Sequence, residues 1–228
     1  MSSPESLGKK LDQVLSYTLT VNEIFYSIQG ETAFTGLPTV FVRLTGCPLR
    51  CQYCDTEYAF NHGFKFTIKD ILAEVSKFRS RYVTVTGGEP LAQKNCPELL
   101  SVLCDEGYQL SLETSGAIDI SRVDERVSRI LDIKTPASGE VKRNKYDNFK
   151  YLTDHDQIKF VICGREDYLW AKQLIQDHQL NERCEILMSP SHEQLDAGLL
   201  ADWVLEDQIP VRIQVQLHKY LWGNVPGR

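Results

Sequence analysis

Residues 39–56, TVFVRLTGCPLRCQYCDT, join a strand to a reactive loop. Residues 39–44 are rich in β-branched and aromatic side chains and read as a strand. The strand runs straight into a loop carrying Cys47, Cys51 and Cys54. A stretch of helical period follows over residues 68–78. The same order recurs downstream: strand 81–86 with a helix near 96–106, then strand 109–114 with a helix near 121–128. Residues 129–134 and 158–163 read as strands, 165–178 as a helix, 184–189 as a strand, 193–204 as a helix and 211–217 as a final strand. Strands alternating with helices predict parallel strands joined by right-handed crossovers. Six or seven units are too few for a closed eight-stranded barrel. The expected fold is therefore α/β, a partial (incomplete) TIM-like barrel of about six parallel β/α units, with ligands gathered at the carboxyl ends of the strands.

The whole chain, 1–228, is expected to be one domain, with residues 1–20 a peripheral N-terminal extension. Its formal net charge of -6 excludes a large basic footprint for nucleic acid and points to a small-molecule substrate. No apolar run is long enough for a membrane span, and the start MSSPESLGKK lacks the apolar middle of a secretory signal, so a cytoplasmic location is expected. Residues 138–151 form the longest polar connection and read as a solvated loop.

Seven cysteines, three of them within eight residues, suit a cluster site in a reducing compartment better than a disulfide framework. Cys96, Cys104, Cys163 and Cys184 are scattered and read as buried small apolar residues. The trio Cys47, Cys51 and Cys54 has the spacing CxxxCxxC. Three thiolates can hold three irons of a [4Fe-4S] cubane and leave the fourth open, whereas an electron-transfer cluster normally takes four. Structural zinc would need a fourth ligand such as His62 at an unusual spacing.

This spacing, with Tyr53 just before the last cysteine, resembles the signature of radical S-adenosylmethionine enzymes. The resemblance implies a cluster whose open iron chelates S-adenosyl-L-methionine and cleaves it to a 5′-deoxyadenosyl radical. Strand 81–86 leads into TGGEP, where Gly87 and Gly88 let backbone approach a ligand and Glu89 offers a carboxylate to an ammonium group. By the same resemblance Tyr53, Asp55, Ser115, Asp132 and Lys134 touch the cofactor, and Ser189 and Ser191 flank its adenosine. A serine stands at 189 where the resemblance leads one to expect glutamine.

Ahead of the cysteines stands NEIFYSIQGETAFTGLPTVFVRLTGC, and the match continues through CDT, VTGGEP, ETSG and QLHKY. It covers residues 22–220 and resembles the 7-carboxy-7-deazaguanine synthase family of the queuosine and deazapurine pathways. The resemblance implies a lyase that contracts the ring of 6-carboxy-5,6,7,8-tetrahydropterin with loss of ammonia. It also implies Mg2+ held through Thr56, a substrate contact at Thr86, a homodimer, and an electron donor such as flavodoxin or ferredoxin. Gln29 and Glu31, with the Ile28 and Gly30 backbone, can serve the aminopyrimidinone edge of a pterin. Arg43 can pair with its carboxylate. His218 and Lys219 are expected near the site, and Arg228 is the terminal residue whose part in closing the pocket the extended tail LWGNVPGR puts in question.

Two alternatives stay open at this level. A glycyl-radical activating enzyme would use the same cluster chemistry on a partner protein. A non-catalytic iron–sulfur electron-transfer protein would call for a fourth cysteine ligand and no adenosyl site.

Overall fold

The computed structural model describes residues 4–225 and 227. Its elements, in chain order, are α1 (Pro4–Leu15), β1 (Thr18–Ile28), β2 (Pro38–Leu44), β3 (Phe64–Thr67), α2 (Ile68–Val75), β4 (Tyr82–Gly87), α3 (Cys96–Asp105), β5 (Gln109–Thr114) and β6 (Ser128–Asp132). They continue as β7 (Gln157–Ile162), α4 (Arg165–His178), β8 (Glu185–Pro190), α5 (Ala197–Asp207), β9 (Arg212–Ile213) and α6 (Leu217–Trp222). One sheet holds all nine strands in the order β3-β1-β2-β4-β5-β6-β7-β8-β9. From β2 to β9 every neighbouring pair is parallel, while β1 pairs antiparallel with both β2 and β3. Seven parallel strands in an open sheet make the incomplete barrel that the sequence predicts. No helix among the described residues is long and apolar enough to cross a membrane.

Alternation along the strands separates two environments. Val83 and Val85 of β4, Leu110 and Leu112 of β5, and Ile158, Phe160 and Ile162 of β7 join the hydrophobic core with residues of α2, α3 and α4. The alternate positions carry Thr84, Thr86, Ser111, Glu113 and Lys159, and these meet one another by hydrogen bonds and charge on the opposite face. A period of two thus gives one apolar, helix-covered face and one polar face for chemistry.

Several expectations are corrected. Residues 121–128 are not helical: Asp119 and Asp124 carboxylates accept from the backbone N–H of Ser121 and Arg126, turning the chain locally. Val123 and Val127, whose i,i+4 spacing suggests a helix, are buried without one. The final strand is only Arg212–Ile213, and QLHKY lies at α6. Helix α5 starts at Ala197 because Asp196 caps it, accepting from Leu199 N–H at 2.9 Å. Residues 18–20, assigned to the peripheral extension, are strand, and Leu19 is fully buried. The connection 138–151 runs through three short 3-10 segments, Pro136–Ser138, Val141–Arg143 and the six-residue Tyr146–Tyr151, with Ser138, Asn148 and Phe149 buried. Of the scattered cysteines, Cys96 and Cys184 are buried, while Cys104 and Cys163 are partly exposed.

Candidate functional site

The cysteine loop leaves β2 and is held in place by its own backbone. Gly46 N–H donates to Ala59 O at 2.9 Å, Gln52 N–H to Ser138 O at 3.0 Å and Cys54 N–H to Cys51 O at 3.2 Å. Arg50 closes the loop by donating to Cys47 O at 2.8 Å while its guanidinium sits 4.3 Å over the Phe60 ring. Fully buried Leu49 anchors it to the body. The three cysteines line one small cavity together with Thr56, Phe60, Gly87, Gly88, Ser115 and Lys134. Burial pushes all three thiols up, Cys51 to about 11, so they ionise only against a cation.

Gly87 and Gly88 have a tighter reason than ligand approach. A side chain at Gly87 would strike the Leu44 backbone, at 2.7 Å from its nitrogen, and the residue has φ +146°. A Cβ at Gly88 would lie 2.8 Å from the Cys47 Cβ and against Gly46 O. The end of β4 is pressed onto the root of the cysteine loop, with Gly88 N–H on Leu44 O and Glu89 N–H on Gly46 O at 2.8 Å. Gly88→Ala is therefore expected to cost about 1–3 kcal/mol, as overpacking does, and to lower the iron bound after reconstitution. Thermal melting and iron analysis check it.

Glu89 is fully buried. Its carboxylate accepts from Leu91 N–H at 3.0 Å, from Thr114 Oγ1, from Ser115 N–H at 2.7 Å and from the Ser115 hydroxyl. Glu89 and Ser115 thus lock the ends of β4 and β5 together beneath the cysteine cavity.

A larger cavity of about 490 Å³ adjoins it, sharing Thr56 and Lys134. Glu31, Arg43, Tyr53, Asp55, Asp132, Lys159, Ser189, Ser191 and His218 line it with residues of the C-terminal segment. Its charges are paired. Lys159 meets Glu31, Lys219 meets Asp55 at 2.7 Å, and Lys134 meets Asp132 at 3.0 Å while facing the Tyr53 ring. Burial would raise the Glu31 and Asp55 carboxyls, but Lys159 and Lys219 respectively hold them below the usual range. Thr56 donates to Asp55 at 2.9 Å. Ser189 is buried, and its hydroxyl has no hydrogen-bond partner among the described residues. A buried polar atom left unpaired on a cavity wall is suited to a ligand.

The turn after β1 is built by Gln29, whose side-chain oxygen accepts from Gly30 N–H at 2.8 Å and Glu31 N–H at 3.2 Å. Its amide nitrogen donates to Thr84 Oγ1 at 3.0 Å and Glu113 at 3.3 Å. Gln29 and Thr86, which donates to Glu113 at 2.8 Å, lie under the cavity and outside its lining. Ile28 ends β1 and leads into the turn. Gly30 sits directly beneath His218, where a Cβ would come 3.0 Å from the His218 nitrogen. Burial lowers the His218 imidazole against the opposing pull of Glu31, 3.8 Å away. Arg43 donates to Glu23 at 2.7 Å and lies between the Phe25 and Tyr58 rings.

Sequence reasoning did not single out Lys159, Gln216, Glu23 or Tyr58, and it did name Lys219, which pairs with Asp55. Gln216 donates to Glu31 at 2.7 Å and to Asp55 at 3.2 Å, tying α6 to both loops. One signal was available: Lys159 is the one charge in the parallel strand QIKFVI, flanked by Ile158 and Phe160. Arg228 lies outside the described residues.

The donor set fits an iron–sulfur cluster. A structural zinc site takes four protein ligands, and the cysteine cavity is lined by three cysteines and no histidine among the described residues. Three thiols around one cavity can instead meet separate corners of a cubane. A partial parallel barrel, a cysteine trio after its first parallel strand and an adjoining polar cavity define a radical S-adenosylmethionine enzyme, and the radical SAM superfamily pattern matches residues 41–137.

The full-length comparisons are narrower. The chain is 47% identical over 208 residues to the 7-carboxy-7-deazaguanine synthase of Chlorobaculum tepidum, covering 90% of this chain and 94% of that one. It is 42% identical over 219 residues to that of Koribacter versatilis, covering 90% and 97%. The chain belongs to the 7-carboxy-7-deazaguanine synthase family. The crystal structure of QueE from Escherichia coli shares its fold with a TM-score of 0.72 over 95% of this chain and 99% of that one, at 20% identity.

Proposed function

We infer that the chain converts 6-carboxy-5,6,7,8-tetrahydropterin to 7-carboxy-7-deazaguanine by radical ring contraction, releasing ammonia. The observation that carries this reading is the polar cavity beside the cysteine pocket, in which a half-buried carboxylate, Glu31, and a guanidinium, Arg43, line the same 490 Å³. Cys47, Cys51 and Cys54 would hold the [4Fe-4S] cluster, whose open iron takes S-adenosylmethionine. Together these supply, when bound, one-electron chemistry that removes hydrogen from unactivated carbon.

The chain's own residues bind and orient. Glu31 accepts from the ring N–H and amino groups of the pterin, with Gln29 fixing the turn that presents it. Arg43 already commits its Nε to Glu23, and its terminal nitrogens are the natural partners of the substrate carboxylate. Tyr53 faces the cavity from the cysteine loop, Asp132, Lys134, Ser189 and Ser191 face it from strand ends, and all five would bound the cofactor, with Glu89 and Ser115 supporting the floor.

Thr56, with Asp55 beside it, is the proposed Mg2+ contact, since Mg2+ prefers oxygen and keeps water ligands. Thr56→Ala is expected to raise the Mg2+ concentration for half-maximal turnover about tenfold, read by titrating Mg2+ in the assay. A flavodoxin or ferredoxin is the proposed electron donor and a homodimer the proposed assembly, which size-exclusion chromatography with light scattering tests.

The deciding assay is anaerobic: reconstituted protein, dithionite, S-adenosylmethionine, Mg2+ and the pterin, with product followed by mass spectrometry. Deazaguanine product supports the reading. Slow release of 5′-deoxyadenosine without product overturns the substrate and keeps the radical chemistry.

A further inference from the structure

Below the main cavity lies a void of about 40 Å³ lined by Glu31, Thr32, Glu113, Ile130, Asp132 and Lys159. It gathers three carboxyl groups around one ammonium. Asp132 has its own cation in Lys134, 3.0 Å away on the cavity side. Glu31 and Glu113 are left to share Lys159.

The sharing is unequal. Lys159 bonds directly to Glu31 and lies on the inward face of β7. Glu113 receives neutral donors instead, Thr86 at 2.8 Å and Gln29 at 3.3 Å. Burial and the neighbouring Glu31 charge push the Glu113 carboxyl up, while Lys159 pulls Glu31 down. The other charged groups facing Glu31 are Asp55 from the cysteine loop and His218 from α6. Beyond them stand Lys219 against Asp55 and Arg43 toward Glu113.

We propose that Lys159 is a positioning residue that holds Glu31 as a carboxylate acceptor for the aminopyrimidinone edge of the substrate. This rests on the substrate reading above. The chemistry demands it: a pterin offers N–H donors on that edge, and a protonated Glu31 would present a donor to a donor. A carboxylate half withdrawn from water is held ionised by a neighbouring cation, and Lys159 is the one cation lining the lower void among the described residues. The same strand also steadies the turn without charge, since Gln157 accepts from Ala33 N–H at 3.0 Å.

The test is equilibrium binding of 7-carboxy-7-deazaguanine, which carries the same edge, to the cluster-reconstituted protein without reductant, across pH 6 to 9 (about the range such proteins tolerate). Lys159→Met is expected to weaken binding on the order of 100-fold at neutral pH, with affinity recovering as pH rises, because Glu31 then ionises only at higher pH. Lys159→Arg keeps the parent profile, and so does Gln157→Ala, which removes a tether but no charge. A second measurement needs no ligand: at neutral pH, Lys159→Met gains the infrared signal of a protonated carboxyl that Glu31→Gln in the same background removes. Binding by Lys159→Met that falls equally at every pH, or no new carboxyl signal, overturns the proposal alone. Absence of binding by the parent protein overturns the substrate reading and this inference with it.

Discussion

Cys51→Ala is expected to abolish product formation altogether while leaving the fold intact. The cubane needs a thiolate at each of three corners, and the cysteine cavity contains Cys47, Cys51 and Cys54 as its only thiols among the described residues. Cys96 and Cys184 are buried elsewhere in the hydrophobic core and cannot substitute. Cys51 is itself partly exposed, and its loop is held by backbone hydrogen bonds that the alanine retains. The stability change should therefore stay within about 1 kcal/mol. The expected result is a variant with native circular dichroism and a melting temperature within a few degrees of the parent. It should lack the cluster's visible absorbance, iron stoichiometry and deazaguanine product. Turnover near the parent rate would show that the trio does not carry the cluster.

That site was legible because its residues are consecutive. CxxxCxxC, GGE and the QGE turn are local strings, and local spacing survives whatever the rest of the chain does. The charge pairing was not legible, because Lys159, Lys219 and Gln216 reach Glu31 and Asp55 across more than a hundred residues of sequence. Nothing in periodicity says which face of β7 looks inward until its neighbours are known.

The parallel strands announced themselves through short apolar runs, whereas β1 did not. TLTVNEIFYSI has Asn22 and Glu23 in its middle and a register shift between Val21 and Glu23, so its alternation breaks where the strand bends. Its pairing partner β3 is only four residues long and follows an irregular loop. The end of the chain failed in the opposite sense. Residues 211–217 alternate like a strand, but Gln214 donates to Gly30 O at 3.2 Å and Gln216 to Glu31, turning the chain over the cavity as α6. Contacts to the QGE turn won over a strand propensity that had only β8 to pair with.

The second large effect concerns stability. Asp156→Ala is expected to destabilise the protein by about 3–5 kcal/mol, the cost of orphaning a buried guanidinium. Asp156 and Arg129 are both buried, joined at 2.5 Å and 2.9 Å, and Asp156 also accepts from the backbone N–H of Arg129 and Thr153, each at 2.8 Å. This network sits where β6 and β7 begin, and it fixes their register, Ile130 against Gln157 and Asp132 against Lys159. Removing the carboxylate strands Arg129 in the protein and frees two backbone donors, so the loss exceeds that of any surface ion pair here. Urea denaturation should show a lower midpoint with an unchanged slope. Replacing both partners, Arg129→Met with Asp156→Leu, should recover part of the loss, because no charge is then left buried alone. A double variant no more stable than Asp156→Ala would mean that the backbone bonds, and not the ion pair, hold the strands. Since the Asp132–Lys159 register lies two residues up the same ladder, the network at the foot of these strands also sets the spacing of the charges at their carboxyl ends.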